Sequence, residues 1–183
     1  MFASSIRYCH VYSFARSLPA VLVLQVGNAG FSFNESLAHF MAWSVVAAPL
    51  MISADIHHSI SNESLAILSA VEILAVDQDP LGQQGVCVSA PAPIGGECWA
   101  RNLSDGSVAA LLLARFSPDT VGEVVCEWSQ LWRSPTDALA VRDTWRREDI
   151  GMHTRRFSAS LAGHSAMLLR LRQPAPVANP GHR

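Results

Sequence analysis

The chain has 183 residues, of which 50% are hydrophobic, so it holds enough apolar material for one full domain or for one domain and part of another. Its formal net charge is −2 and only 15% of its residues are charged. This composition excludes the basic surface that a nucleic-acid-binding protein requires. No apolar run reaches the roughly 20 residues of a membrane-spanning helix, so no membrane partner is predicted.

The N-terminal segment is the least informative part of the sequence. Arginines stand at positions 7 and 16, and an apolar run follows at 18–26. This order lacks the early apolar stretch and the small-residue cleavage site of a signal peptide, and it leaves the localisation open. We expect residues 1–23 to be disordered, as we do the proline-rich tail 173–183.

Helical patterns surround a short apolar run in the next part of the chain. Ser32 and Glu35 have the spacing of a capping box, apolar residues then recur at helical intervals, and Pro49 ends the helix. The run 50–53 predicts a strand buried on both faces, with Asp55 just past its carboxyl end. A second helix is predicted over 61–74. This order is typical of an α/β layer.

From residue 80 onward the pattern changes to short strands and turns. Seven strand-like runs follow one another, and turn residues separate them at intervals of 8–12 residues. The segment LSDGS at 103–107 is a hairpin signal. The pattern predicts an antiparallel β-sandwich, with the boundary between the two regions near residue 80.

The cysteines and the sequons suggest covalent modifications. The four cysteines are Cys9, Cys87, Cys98 and Cys126. None has metal-binding spacing, and Cys87 and Cys98 flank a predicted hairpin loop, which leaves two alternatives for them: a cross-strand disulfide or two free thiols. Asn34, Asn62 and Asn102 each begin an N-x-S sequon and are N-glycosylation sites if the protein is secreted.

Two aspartates in the segment AVDQDPLGQQG are close enough in sequence to be considered as a pair of catalytic carboxylates. Asp77 and Asp79 lie two residues apart beside Pro80. Aspartate carboxylates accept backbone N–H groups in turns and proline fixes the local backbone, so we predict a structural role for both. Asp55 has two interpretations, a loop cap or a direct contact to a bound ligand.

Other chemistry-bearing side chains favour structural roles. The adjacent His57 and His58 cannot chelate a metal as an i, i+4 pair does, and His39 is predicted to be a packed histidine. Arg142 and Asp143 are adjacent and able to pair locally on a strand, and a structural role is predicted for both. Four tryptophans of the strand-rich region serve either as core or as sugar-stacking platforms, namely Trp99, Trp128, Trp132 and Trp145.

Six segments, taken in order, resemble one family. They are LQVGNAG (24–30), HFMAWSVVAAPLMISADI (39–56), LAILSAVEILAVDQDPLGQQG (65–85), CWARNLSDGS (98–107), VRDTWRREDIG (141–151) and HSAMLLRL (164–171). Their order and spacing are similar to those of the C-terminal half of the α-galactosidases of glycoside hydrolase family 27. The resemblance implies an α/β remnant of a (β/α)8 TIM barrel over 24–79 and an all-β antiparallel sandwich of Greek-key type over 80–172.

The resemblance also implies a reaction, the hydrolysis of terminal α-linked galactose from oligosaccharides, glycolipids or galactomannans. A retaining glycosidase needs two carboxylates about 5–5.5 Å apart. The Tyr-Asp-Asn-Cys-like motif that carries the nucleophile in the family is absent, and Ala20 and Leu22 stand where the family has aspartates before its LQVGN segment. We therefore assign no catalytic residue and expect the chain alone to be an inactive or truncated part of the enzyme.

A non-catalytic carbohydrate-binding or interaction protein built on the sandwich is the alternative function. For the intact enzyme the resemblance implies a carbohydrate partner, no cofactor and no metal, and it leaves a homodimer open. It implies a parent that is secreted, vacuolar or lysosomal.

Overall fold

The computed structural model describes residues 23–57, 60–89 and 95–174. Within these ranges three helices precede eight strands. The elements are α1 (Phe33–Val45), α2 (Asn62–Leu68), α3 (Val71–Asp77), β1 (Val86–Cys87), β2 (Gly96–Asn102), β3 (Val108–Ala114), β4 (Val121–Glu127), β5 (Ala138–Asp143), β6 (Glu148–Thr154), β7 (Arg156–Ala162) and β8 (Ala166–Arg172). The disorder predicted for residues 1–22 and 175–183, and the positions of Cys9, Ala20 and Leu22, lie outside the described residues.

Helix α1 begins with the predicted capping box. The Ser32 hydroxyl accepts a hydrogen bond from the Glu35 backbone N–H at 3.3 Å, and the Glu35 carboxylate accepts one from the Ser32 backbone N–H at 2.8 Å. These two bonds satisfy donors that the first turn of a helix otherwise leaves unpaired. The helix ends at Val45, and Ala47 then takes a positive φ of 53° before Pro49.

The second predicted helix is two short helices, which corrects the prediction of one. Ser69 ends α2, its hydroxyl donates to the Leu65 carbonyl at 2.7 Å, and Ala70 takes an extended backbone. A straight helix would place the buried Ile67 and Ile73, six residues apart, on different faces. The break turns the chain, and both side chains join one core with α1.

The run 50–53 is exposed, so the prediction of a strand buried on both faces is wrong. It forms one parallel bridge, between Leu24 and Ile52. The Met51 carbonyl accepts from the Leu24 backbone N–H at 2.7 Å, and Met51 and Ile52 are 60% and 47% exposed. Within the described residues only one segment pairs with this run, so its other edge and its faces meet solvent.

The predicted antiparallel β-sandwich is confirmed. One sheet has the strand order β1-β2-β3-β8-β5-β6, and the second contains β4 and β7. Strand β6 was not among the predicted strand-like runs, because its sequence EDIGMHT lacks apolar alternation. It lies at the sheet edge, pairs with β5 across a register shift between Val141 and Arg142, and is mostly exposed.

The six-stranded sheet is covered on both faces. In β3, Ala110 and Leu112 face the sandwich interior, whereas Ala109 and Leu111 pack in the same core as the helices. This explains why the sequence VAALLLA is a continuous apolar run instead of an alternating one. The helices form a layer on the outer face of the sheet, and no helix in the described part of the chain is long and apolar enough to cross a membrane.

The disulfide joins Cys98 to Cys126, which contradicts both alternatives considered for Cys98, a bond to Cys87 and a free thiol. The Cα atoms of Cys98 and Cys126 are 5.5 Å apart, and the bond connects β2 to β4 across the two sheets. Cys87 lies directly opposite Trp99 in the ladder. Because neighbouring residues of a strand point to opposite faces, Cys87 shares the face of Trp99 and points away from Cys98. The Cys87 Sγ atom lies 3.6 Å from the Ser89 Oγ atom.

Candidate functional site

The parallel bridge defines the edge at which a barrel site would form. Beyond Leu24 and Ile52 the two segments run on to Asn28 and Ser53, and the Asn28 amide donates to the Ser53 hydroxyl at 2.8 Å. Gly27 allows this approach, since a Cβ atom there would lie 2.8 Å from the Ala54 Cβ. Active sites of (β/α)8 barrels lie at the carboxyl ends of the strands. This edge is therefore the candidate functional site.

Asp55 lies at this edge and is exposed. Its Oδ1 atom accepts a hydrogen bond from the His57 backbone N–H at 3.0 Å. This contact is what the loop-cap interpretation predicts. A direct sugar contact by Asp55 stays a prediction, and His58 lies outside the described residues.

A cavity of about 380 Å³ opens beside the bridge. It lies between the loop that follows Leu24 and the start of α2. Its lining combines aromatic and polar side chains, among them Phe31, Phe33, Asn28, Ser61, Glu63 and Ser64. Sequence reasoning missed this cavity, although both of its walls contain an N-E-S segment at the start of a helix.

His39 lies beneath the edge as a packed histidine, as predicted. Its ring stacks on Trp43, with centroids 4.3 Å apart, and lies 5.9 Å from the ring of Phe31. Its Nε2 atom accepts a hydrogen bond from the Gln25 backbone N–H at 3.2 Å, which requires the neutral ring. Burial lowers the pKa of His39 to about 4.

Acid should therefore destabilise the helical layer through His39. The folded-state pKa lies below the unfolded value of about 6.5, so the unfolded chain binds a proton first, and stability is lost as the pH falls from 6.5 toward 4. We expect a loss of roughly 3 kcal/mol at most over that range. Urea unfolding at several pH values should show a shallower dependence in His39→Gln, which keeps an acceptor and does not titrate. Equal slopes for the two proteins would contradict this assignment.

Asp79 connects the linker to the sandwich and is not part of a catalytic pair. Its carboxylate accepts the Leu81 backbone N–H at 3.1 Å, the Ser104 backbone N–H at 2.9 Å and the Ser104 hydroxyl at 2.8 Å. Burial raises the pKa of Asp79, but these hydrogen bonds and the charge of Arg101 outweigh burial and lower it. Asp77 differs, since burial raises its pKa although its carboxylate accepts from the Gln78 side chain.

Arg101 is a buried structural cation that sequence reasoning missed. It lies in β2, is fully buried, and its Nη1 atom donates to the Ser44 carbonyl at the end of α1 at 3.0 Å. Burial lowers the pKa of Arg101, while the charges of Asp79 and Asp77 raise it. Its Nε and Nη2 atoms and the Asp77 Oδ1 atom have no hydrogen-bond partner among the described residues. Arg101 thus joins the helical layer, the linker and the sheet.

Arg142 and Asp143 do not pair with each other, which corrects the local pairing considered for them. The Arg142 guanidinium binds both carboxylate oxygens of Glu72 in α3, at 2.7 and 2.9 Å, and also contacts Asp149. Asp143 accepts the backbone N–H groups of Trp145 and Arg146 in the following turn. Neighbouring residues of a strand point to opposite faces, so Arg142 faces the helices and Asp143 does not.

Three of the four tryptophans are buried or half-buried, as the core role predicts, and one is exposed. Trp99 and Trp128 are buried in the two cores, and Trp145 is half-buried with its ring 5.9 Å from that of Phe33. Trp132 is 50% exposed and has a positive φ of 57°. It is the one of the four that remains a candidate for sugar stacking.

The three N-glycosylation sequons begin at the ends of helices or strands. Asn34 and Asn62 are exposed in the first turns of α1 and α2, and Asn102 is half-buried at the end of β2. Glycosylation of these three side chains stays a prediction. No group of three His, Cys, Asp or Glu side chains that could hold a metal ion occurs among the residues that the structure describes.

Two family models match the chain in the order of its two layers. Residues 17–79 match the model described as "Alpha galactosidase A", and residues 95–171 match "Alpha galactosidase C-terminal beta sandwich domain". The two matches cover the helical layer and the sandwich, respectively.

Curated relatives give the same result. The chain is 34% identical over 152 residues to a probable α-galactosidase of Dictyostelium discoideum, covering 81% of this chain and 38% of the relative. It is 33% identical over 146 residues to α-galactosidase 3 of Arabidopsis thaliana, covering 78% and 32%. The chain therefore spans about a third to two fifths of the length of these relatives.

Solved structures share the fold. The α-galactosidase I of Mortierella vinacea superimposes with a TM-score of 0.75 at 21% identity, over 84% of this chain and 40% of that one. The structure of the α-galactosidase of Saccharomyces cerevisiae with raffinose superimposes with a TM-score of 0.74 at 18% identity, over 83% of this chain and 46% of that one. The chain has the end of a barrel packed on an antiparallel sandwich, and it matches both family models in order as well as these relatives. The chain therefore belongs to the α-galactosidases of glycoside hydrolase family 27.

Proposed function

We propose that this chain supplies the end of the catalytic barrel and the C-terminal sandwich of an enzyme that releases terminal α-linked galactose. The catalytic carboxylates would come from other strands of the barrel. A retaining glycosidase needs a nucleophile and an acid/base carboxylate about 5–5.5 Å apart. Asp77 and Asp79 are held in linker contacts, and Asp55 holds the loop that follows the bridge. None of the three takes either role.

The observation that supports the proposal is the run 50–53, which among the described residues pairs with another segment on one side only. Ile52 pairs with Leu24 on one side, while Met51, Ile52 and Ile56 are each 47–61% exposed. An unpaired strand with apolar side chains is a site for the addition of another strand. In a closed barrel every strand has two neighbours, so a preceding barrel portion would pair with this run and cover these side chains.

Complementation tests this proposal. The chain alone should not hydrolyse an aryl α-galactoside, whereas fusion to the preceding barrel portion of the Dictyostelium relative should give turnover. Ile52→Pro in the fusion should abolish turnover, because proline lacks the N–H that a strand in the middle of a sheet donates. Val121→Ala, at an exposed position of the sandwich, is the control and should leave turnover unchanged. Turnover by the chain alone, or a folded fusion without turnover, would contradict the proposal.

A sugar-binding protein built on the sandwich is the second candidate. It is favoured by Trp132, whose ring is half-exposed on a residue with a positive φ. Strained backbone is concentrated at functional sites, and tryptophan faces stack on sugars. This candidate predicts that the chain alone binds a galactoside such as melibiose in a calorimetric titration and that Trp132→Ala loses this binding; no binding up to millimolar sugar would contradict it.

A further inference from the structure

Three connections meet at one end of the sandwich: the turn after β4, the turn between β6 and β7, and the hairpin between β2 and β3. The Trp128 backbone N–H donates to the Arg155 carbonyl at 2.7 Å, and the Arg133 guanidinium donates to the Gly106 carbonyl at 2.6 Å. The β5–β6 and β7–β8 connections, which contact the start of α1, lie at the opposite ends of their strands. This end is therefore a different surface from the candidate site at the parallel bridge.

A cavity of about 400 Å³ opens at this end, within the range of roughly 300–1,000 Å³ found for small-molecule sites. Glu127, Thr154, Arg155 and Arg156 line it, and all of these except Glu127 are exposed. Two guanidinium groups and a hydroxyl face one carboxylate, so the lining is positively charged. Arginine binds oxyanions through paired N–H donors. The cavity is therefore suited to a group that carries negative charge.

Positive charge exceeds negative charge at this end of the sandwich. Arg156 lies 3.7 Å from Glu127, whereas Arg155 has no carboxylate partner among the described residues. Arg133 binds a carbonyl group, and Asp137 is the carboxylate at this end that accepts a backbone N–H in place of an arginine. Two further arginines share one aspartate at the hairpin, namely Arg170 and Arg172 with Asp105. Arginines therefore outnumber carboxylates here, although the whole chain has a formal charge of −2.

Trp132 adds an aromatic face at the same end. Its side chain is 50% exposed, and its backbone has a φ of 57°. The turn that carries it is closed, because the Leu131 and Arg133 backbone N–H groups both donate to the Trp128 carbonyl at 3.0 Å. A side chain on a fixed turn loses little entropy on binding. The indole is a large apolar face that matches the C–H face of a pyranose ring.

This combination favours a charged sugar chain over other anions. A membrane surface is flat and is bound through several apolar side chains on one face, whereas Trp132 stands at the same end as a concave lining. A free phosphate ion would use the arginines and leave the indole without a partner. A polysaccharide with sulfate or carboxylate groups uses both, since its rings stack on the indole and its oxyanions bind the guanidinium groups.

We propose that this end of the sandwich is a surface site for an anionic polysaccharide. Trp132 stacks on a pyranose ring, and Arg155 and Arg133 bind the sulfate or carboxylate groups of the chain. The site anchors the protein to a charged carbohydrate matrix and leaves the barrel edge free. It requires no catalytic carboxylate, so it goes beyond the proposed function and does not depend on it.

Binding of the full chain to immobilised polymers tests the site. Dextran sulfate carries sulfate groups on a pyranose chain, unmodified dextran is the matched neutral polymer, and polygalacturonate carries carboxylates. We expect binding to at least one charged polymer, which weakens as the salt concentration rises, and no binding to dextran. The charged polymer that binds more tightly identifies the anionic group.

Matched variants separate a site from an effect of net charge. Trp132→Ala and Arg155→Asn should each weaken binding about fivefold or more, through the loss of the stacking face or of a charge-assisted hydrogen bond. Asparagine suits position 155 because it tolerates the positive φ of 68° there. Arg146→Asn removes the same charge from a 70% exposed side chain in the β5–β6 connection, at the other end of the sandwich. It should weaken binding less than about twofold, since salt screens distant charges.

Three results would overturn the site: binding to neither charged polymer, equal weakening in Arg155→Asn and Arg146→Asn, or tighter binding to phosphatidylserine vesicles than to either polymer. The last result would assign the surface to a membrane. Circular dichroism checks that each variant keeps the fold, and Trp132→Phe, which keeps an aromatic face, should bind more tightly than Trp132→Ala. The measurement needs no turnover, so its failure and the failure of the complementation experiment are independent.

Discussion

Replacing Cys98 or Cys126 by alanine is expected to lower the free energy of unfolding by about 3–4 kcal/mol, as estimated for a closed loop of this size. The two cysteines are 28 residues apart in sequence and connect the two sheets of the sandwich. In the unfolded chain the disulfide removes conformations that the reduced chain regains, so its loss favours unfolding. Both sulfur atoms lie in the sandwich core, and each substitution also removes buried contacts.

Cys87→Ala is the matched control, because Cys87 is a half-buried cysteine of the six-stranded sheet that is bonded neither to Cys98 nor to Cys126. It should change the free energy of unfolding by less than about 1 kcal/mol, as expected of a half-buried side chain in a two-residue edge strand. Urea unfolding with and without a reducing agent measures the difference, and peptide mapping identifies the bonded pair. If Cys87→Ala were the destabilising variant and the Cys126 variant were neutral, the assigned pairing would be refuted.

The disulfide shows what sequence pattern leaves open. Two cysteines flanking a hairpin loop are close in sequence, but one-residue differences in register decide which face each side chain takes. Cys87 opposes Trp99, and this single pairing excludes a bond to Cys98. The partner, Cys126, lies on a strand of the other sheet, and such long-range pairing has no local signal.

Local signals predicted the helices and strands well where the local and tertiary requirements agree. The capping box of α1 and the LSDGS hairpin both depend on neighbouring residues alone, and both are present. The predicted helix over 61–74 is broken because Ile67 and Ile73 must reach one core. The run 50–53 matched a buried strand, but its burial requires neighbours that the described chain does not supply.

The candidate site was only partly predictable for a related reason. Asp55, Asp77 and Asp79 were found because aspartates next to turns have a recognisable pattern. Arg101 had no such signal, since its partners Ser44, Asp77 and Asp79 lie 22 or more residues away. The continuous apolar run of β3 was the available hint that another layer covers the sheet, and Arg101 lies under that layer.

Arg101→Met is expected to lower the free energy of unfolding by about 2–3 kcal/mol, because it removes a buried charge-assisted hydrogen bond to the Ser44 carbonyl and a charge that favours the ionised forms of Asp77 and Asp79. Methionine fills much of the same volume, so the loss reports the charge and the bond to the Ser44 carbonyl more than packing. Arg172→Met is the control. Arg172 is half-exposed and 3.8 Å from Asp105, and exposed pairs contribute about 0–1 kcal/mol.

The dependence of this loss on pH identifies its cause. Without Arg101, the carboxylate of Asp77, whose pKa burial already raises, has no opposing charge. A raised folded-state pKa means that ionisation opposes folding, so the penalty is absent below the unfolded pKa and grows as the pH rises above it. The deficit of Arg101→Met, measured by urea unfolding, should therefore be larger at pH 7 than at pH 5. Adding Asp77→Asn should recover part of the deficit at pH 7. A deficit independent of pH, with no recovery in the double variant, would assign the role of Arg101 to the Ser44 hydrogen bond and not to its charge.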